Sequence, residues 1–285
     1  MKIESGFNSK KHEKNQLELS RKLKRKKFFV AAGISVGWST WFFASFFAAR
    51  FLMSVGVFAV SQIAGFNPAK ISDFGNALAE IFFYLCLAIF FVFLPLIFLP
   101  KFHKNNSQKL SKNSLKKFAK IAGFSRKPKL EDFAWAVWFL PFFYVILVFA
   151  NFAAMFIFGA TTMKQEQILP FAGAGEEFSQ LAIIFFSLVV VAPVFEEFLL
   201  RGWMFGKLRE KMNFLLAAMI ISLVFAAAHG QINVEIMTFI LSMFGSKIRE
   251  KTGVIYGAIF LHMAVNFLAF SIRYLGFLHG GNFGV

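Results

Sequence analysis

Glu196 and Glu197 stand side by side in the apolar run VAPVFEEFLLRG, and Arg201 follows Glu197 by one helical turn. A charged side chain at the centre of a bilayer is unfavourable by about 2.5 kcal/mol or more, so two adjacent carboxylates need a compensating reason. Adjacent helical residues point about 100° apart, so these two cannot serve one role in one direction. Glu197 and Arg201, at i,i+4, can pair, which leaves Glu196 free to face a cavity. A carboxyl group removed from water holds its proton more readily and can act as a general base near neutral pH. His229 closes a later apolar segment, SLVFAAAHG, and His262 and Asn266 share one helix face in FLHMAVNFL. Singly, these residues have plain explanations: a structural ion pair with a spare interfacial glutamate, a histidine anchoring a span end, a pair bonding a neighbouring helix. Together they offer a carboxylate and an imidazole to activate water, with two donors for a developing oxyanion. Amide hydrolysis requires that set.

The elements that must hold these groups are membrane helices. The chain has 285 residues, of which 58% are hydrophobic, 19% aromatic and only 16% charged, with 44 phenylalanines. Its mean hydropathy is +0.62, and apolar runs of about 20 residues recur, as a polytopic helical protein requires. Strict apolar–polar alternation is absent, which argues against a transmembrane barrel. The formal charge of +16 does not point to nucleic acid, because the basic residues flank spans, where they set topology and meet anionic lipid. The one cysteine, Cys86, lies in an apolar run and excludes an internal disulfide or a multi-cysteine metal site.

Hydropathy predicts an all-α fold of about seven spans, with eight as the alternative, and the chemistry in the last four. A basic segment 1–27 precedes apolar segments over 28–66, 77–100 and 133–160, with a basic loop at 101–132. The segment 28–66 reads as one long helix or as a span followed by an interfacial piece. A core over 178–277 follows, with spans starting near Phe178, Asn213, Ile232 and Gly253, and then a tail, 278–285. Basic residues cluster in alternate connections, which places the N-terminus in the cytoplasm. The N-terminus does not read as a cleavable signal, its polar stretch and the apolar segment after it both being too long. Pro193 predicts a kink or restart in the fourth span. Counted from the cytoplasmic side at 1.5 Å per residue, Glu196, His229 and Asn266 stand at roughly 20, 24 and 22 Å, with His262 at roughly 16 Å. Three separate segments thus bring their rare polar residues to a similar depth.

Several chemistries are excluded by what is missing. There is no H-E-x-x-H zincin motif and no Gly-flanked serine of the G-x-S-x-G kind. The only aspartates, Asp73 and Asp132, are expected outside the spans, so an intramembrane aspartyl pair is absent. No P-loop accompanies the spans. Glu235, in the sixth segment, is expected to pair locally or to face the external boundary.

The ordered motifs E-E-x-x-x-R at Glu196, Glu197 and Arg201, F-x-x-x-H at Phe225 and His229, and H-x-x-x-N at His262 and Asn266 resemble those of the CPBP (Abi) family. These are the CAAX prenyl endopeptidases and bacteriocin-processing intramembrane proteases. The intervals fit, with 33 residues from Glu196 to His229 and 33 more to His262, and Ala192, Pro193 and Gly202 match the usual setting. The resemblance covers about residues 178–270. It implies an intramembrane protease in which Glu196, with His229, activates water while His262 and Asn266 stabilise the oxyanion. Glu197 and Arg201 would fix the helix and the site's charge. The resemblance leaves a metal open, since such proteases are described both with and without one; no cofactor is expected to be obligatory, and were zinc held, Glu196, His229 and His262 would be its ligands. The expected partners are membrane lipids and a membrane-associated peptide or lipidated protein. A non-catalytic scaffold or immunity protein of the same family is the alternative reading, and a transporter using a proton relay is a third, for which inverted repeats are missing.

Overall fold

The computed structural model describes residues 3–68, 71–95, 112–159 and 178–278. Residues 101–111 of the basic loop, the 161–177 loop and the tail from 279 onward lie outside the described residues. Eight helical elements, and no strand, occur among the residues described. Helix α1 (Ile3–Ala64) is one continuous helix, which decides between the two readings of the first apolar segment; it ends at Gly65, whose φ is +72°. Helix α2 (Asp73–Ala88) is capped by the Ser72 hydroxyl, which accepts from Gly75 N at 3.1 Å, and runs on through a π-turn, Ile89–Phe93. Helix α3 (Lys112–Ala122) is short and amphipathic, and α4 (Leu130–Phe158) is long and apolar all round.

Helix α5 covers Phe178–Arg209. Pro193 neither breaks nor restarts it. Its ring lacks an N–H and would press on the carbonyl one turn back; a π-turn, Ser187–Val191, widens the helix there and lets it continue. A second π-turn spans Phe198–Met204. Helix α6 (Phe214–Ala227) starts at Asn213, whose side-chain oxygen accepts from Leu216 N at 2.9 Å. Helix α7 (Ile232–Thr252) ends at the left-handed Gly253, and α8 covers Tyr256–Leu278.

Five of these are long and apolar enough to cross a membrane: α1 over Glu18–Ala64, α2 over Phe74–Phe93, α4, α5, and α8 over Tyr256–Leu275. Two of the seven expected spans fall short of that standard. Helix α6 has only 14 residues, about 21 Å at 1.5 Å per residue, and α7 ends in the polar stretch Lys247–Thr252. Asp132, expected outside the spans, instead lies in the first turn of α4 and is fully buried. There it accepts from Lys129 N at 2.8 Å and from Arg126 at 2.6 and 2.8 Å. Those bonds raise the Arg126 guanidinium above its ordinary value.

Two large apolar clusters organise the bundle, and a small one joins α2, α5 and α8 around Ala77 and Ile184. One joins α1, α2, α3, α5 and α6 around Phe83, Phe91, Trp203, Met204 and Ile221. The other joins α4, α7 and α8 around Phe143, Leu241, Leu261 and Val265. Close backbone approaches knit the short segment before α4 into both. A side chain at Gly202 would stand 2.6 Å from the Ala122 carbonyl oxygen, and one at Gly206 2.6 Å from that of Ile121, the small-x-x-x-small contact of membrane helices. Arg249 donates from Nη2 to the Lys120 and Ile121 carbonyls at 3.0 and 3.2 Å. Ile255 N donates to Gly123 O at 3.1 Å, and Tyr256 Oη to Arg126 O at 3.0 Å.

A Gly206→Leu substitution is expected to push α3 off α5 and destabilise the fold by about 1–3 kcal/mol, the usual range for overpacking. Gly37, with open space around it, is the control: Gly37→Ala should be neutral or slightly stabilising. Thermal unfolding of both variants in one detergent tests this.

Candidate active site

The carboxylate pair rides on the short α-helical stretch Ala192–Glu197, between the two π-turns of α5. Glu197 points into the protein and is 1% exposed, whereas Glu196 is about one-sixth exposed. The i,i+4 contact expected between Glu197 and Arg201 is present, at 2.9 Å, with Arg201 fully buried. None of the guanidinium nitrogens meets the alignment of a hydrogen bond, so the attraction is one of charge. Phe225 adds a ring face 4.9 Å from Arg201 Cζ. On the other side, Gly245 of α7 leaves the space, since a side chain there would stand 3.3 Å from Arg201 Nε and 3.5 Å from Glu197 Oε2. Buried Ser242 and Ser246 flank that glycine on α7, and Ser222 of α6 donates to Ser242 at 2.8 Å.

Helix α8 brings His262 against both carboxylates. Its Nδ1 lies 3.0 Å from Glu197 Oε1, and because a carboxylate accepts, Nδ1 carries the hydrogen. Its Nε2 lies 3.6 Å from Glu196 Oε2. Asn266, one turn on, donates from Nδ2 to the Leu188 carbonyl at 2.9 Å. Leu188 sits in the π-turn before Pro193. The first π-turn shows the same device: Trp41 Nε1 donates to Phe91 O at 3.3 Å.

His229 follows the last turn of α6, with Nδ1 2.8 Å from the Phe225 carbonyl. A carbonyl only accepts, so Nδ1 carries a hydrogen, and in the neutral ring Nε2 has the lone pair. The Phe225 ring meets His229 edge-on at 4.9 Å and His262 at 5.9 Å. One buried aromatic thus touches both histidines and the guanidinium.

Glu196 and His229 line a single cavity of about 200 Å³. Its walls include Phe42, Phe46, Phe83 and Leu87 from α1 and α2, together with Tyr84 and Arg50. His262 and Asn266 are not among the lining residues. Tyr84 Oη donates to Glu196 Oε1 at 2.5 Å, and Arg50 is paired to Glu80 at 2.5 Å, one turn before Tyr84. Neither Tyr84 nor Gly245 follows from the motifs. A polar residue in the apolar run of α2 and a small-residue stripe on α7 are the only signals either leaves. Among the described residues, no three His, Cys, Asp or Glu side chains are grouped closely enough to hold a metal ion. Glu235 lies half-buried in the first turn of α7.

Removing one partner of the buried pair, as in Glu197→Ala, should destabilise the protein by about 3–5 kcal/mol, because Arg201 would be left uncompensated. The double variant Glu197→Leu/Arg201→Met should recover much of that loss in thermal unfolding. A double variant as unstable as the sum of the singles would show that shape, not charge, holds the position.

No curated protein and no solved structure matches the chain. Residues 178–268, the stretch that carries Glu196, Glu197, Arg201, His229, His262 and Asn266, match the family model for Rce1-like type II CAAX prenyl endopeptidases, the family that the motifs resemble.

Proposed function

We propose that the chain is an intramembrane endopeptidase of the CAAX-protease type, hydrolysing a peptide bond of a membrane-associated substrate, prenylated or unmodified. The observation that carries this reading is the shared cavity of Glu196 and His229, two groups from different helices turned towards one small space. Glu196 takes a proton from a water molecule as the water oxygen attacks the scissile carbonyl carbon. His229, through its free Nε2, accepts the water's other hydrogen and holds it in line. The carbonyl oxygen becomes an oxyanion; when the C–N bond breaks, the proton on Glu196 passes to the leaving amine.

His262 and Asn266 serve the oxyanion in this reading. The second N–H of the Asn266 amide is left over once the first is given to Leu188. His262 donates from Nε2, carrying a proton on both ring nitrogens. Glu197 acts through His262 by holding its ring. No metal is obligatory in this reading. With α6 and α7 crossing as well, the chain spans the membrane seven times and its basic N-terminus lies in the cytoplasm.

The test is cleavage of quenched peptides, prenylated and plain, by the purified chain in detergent. Glu196→Gln should lower kcat/KM by about 10²–10⁴-fold, the range of general base catalysis. Asn266→Ala should lower kcat by about 10²–10³-fold, as for a lost oxyanion donor. A chelator should leave the rate unchanged; loss of activity restored by zinc would overturn the metal-free form. No cleavage of any peptide, with Glu196→Gln folded as well as the native chain, would favour the non-catalytic scaffold.

A further inference from the structure

We infer that Tyr84, on a helix outside the Rce1-like stretch, is a positioning residue for Glu196, so that α2 completes the active site. The phenol donates to Glu196 Oε1 at 2.5 Å from a position 112 residues earlier in the chain. Its ring is stacked on Phe195, with centroids 6.0 Å apart and planes 25° apart, and meets Phe83 edge-on at 5.2 Å. Phe195 immediately precedes Glu196. One side chain therefore holds both the backbone that carries the carboxylate and the carboxylate itself.

The hydrogen bond distinguishes the two oxygens of Glu196. Oε1 is committed to the phenol, and rotation of the carboxylate is arrested. Oε2 is left towards His262, 3.6 Å away, as the oxygen free to take a proton. The phenol is not needed to dock α2, which is held by the burial of Phe83, Leu87 and Phe91 and tied to α1 by the Arg50–Glu80 ion pair. Glu80 and Tyr84, at i,i+4, share one face of α2. That face carries a salt bridge to α1, whose Arg50 also lines the cavity, and a hydrogen bond to α5, and only the second touches Glu196. A small misplacement of a reacting group lowers the rate by about 10²-fold, which is the leverage such a contact has.

The kinetic consequence rests on the proteolytic reading; the contact does not. Tyr84→Phe keeps the ring and its stacking and deletes only the hydroxyl. We expect kcat to fall about 10- to 100-fold, with KM within about twofold and an unchanged melting temperature. The infrared carboxylate band that Glu196→Gln removes should shift in Tyr84→Phe. It should also shift when a fluorinated tyrosine, close in size to the native ring, occupies position 84, a variant that keeps the fold if Tyr84→Phe does not. An active enzyme whose kcat is indifferent to the hydroxyl overturns the inference, and so does a Glu196 band that stays in place in both variants. If the native chain cleaves nothing, the proteolytic reading falls, and the infrared band alone decides whether Tyr84 orients Glu196.

Discussion

A carboxylate buried to 1% exposure beside a fully buried guanidinium is the contact around which the rest of this bundle is arranged. In a low-dielectric interior such a pair attracts strongly but also loses its hydration, and the balance is favourable only where other groups complete it. Here His262 gives Glu197 a second partner at 3.0 Å, the Phe225 ring covers the guanidinium, and Gly245 leaves room for both charges. Each contribution comes from a different helix. The pair on α5 is therefore a point at which α6, α7 and α8 all meet that helix, through a ring face, a glycine and a hydrogen bond.

Departures from α-helical geometry supply a second constraint. The π-turn at Ser187–Val191 accommodates Pro193 and presents the Leu188 carbonyl, which accepts from Asn266. The π-turn of α2 presents the Phe91 carbonyl to Trp41. Away from water, a backbone group without its helical partner must find another, and in both cases a side chain of a neighbouring helix provides it. The third π-turn contains Arg201 and Gly202, so the widened helix serves both the buried charge and the close approach of α3. Irregular turns thus coincide with the places where α5 meets its partners.

The polar site lies where the two large apolar clusters meet. Helices α5 and α6 belong to one and α8 to the other, and the histidines of α6 and α8 reach α5 from opposite clusters. The helices before residue 178 are not a passive addition to this arrangement. Helix α4 supplies half of the second cluster, the segment 119–126 is bonded to α7 and α8, and α1 and α2 wall the cavity that Glu196 and His229 share.

Much of this was legible in local sequence. The i,i+4 spacing of Glu197 and Arg201 fixes their proximity in any helix, and the common face of His262 and Asn266 follows in the same way. The similar depth expected of three rare polar groups follows from rise per residue, which is a property of the helix itself. Helical class and membrane character follow from composition, for the same reason that each helix satisfies its own backbone. Span count was less legible, since α6 is short, α7 ends in a polar stretch, and apolarity alone does not separate an embedded helix from a crossing one. What tertiary structure alone decided are the contacts that depend on rotation and register between helices. His262 turns its Nδ1 to Glu197 rather than to solvent, Asn266 bonds a π-turn carbonyl, Gly245 opens space for an ion pair on another helix, and Tyr84 reaches Glu196 across 112 residues. No spacing within one helix encodes them, because packing of the whole bundle sets which faces meet.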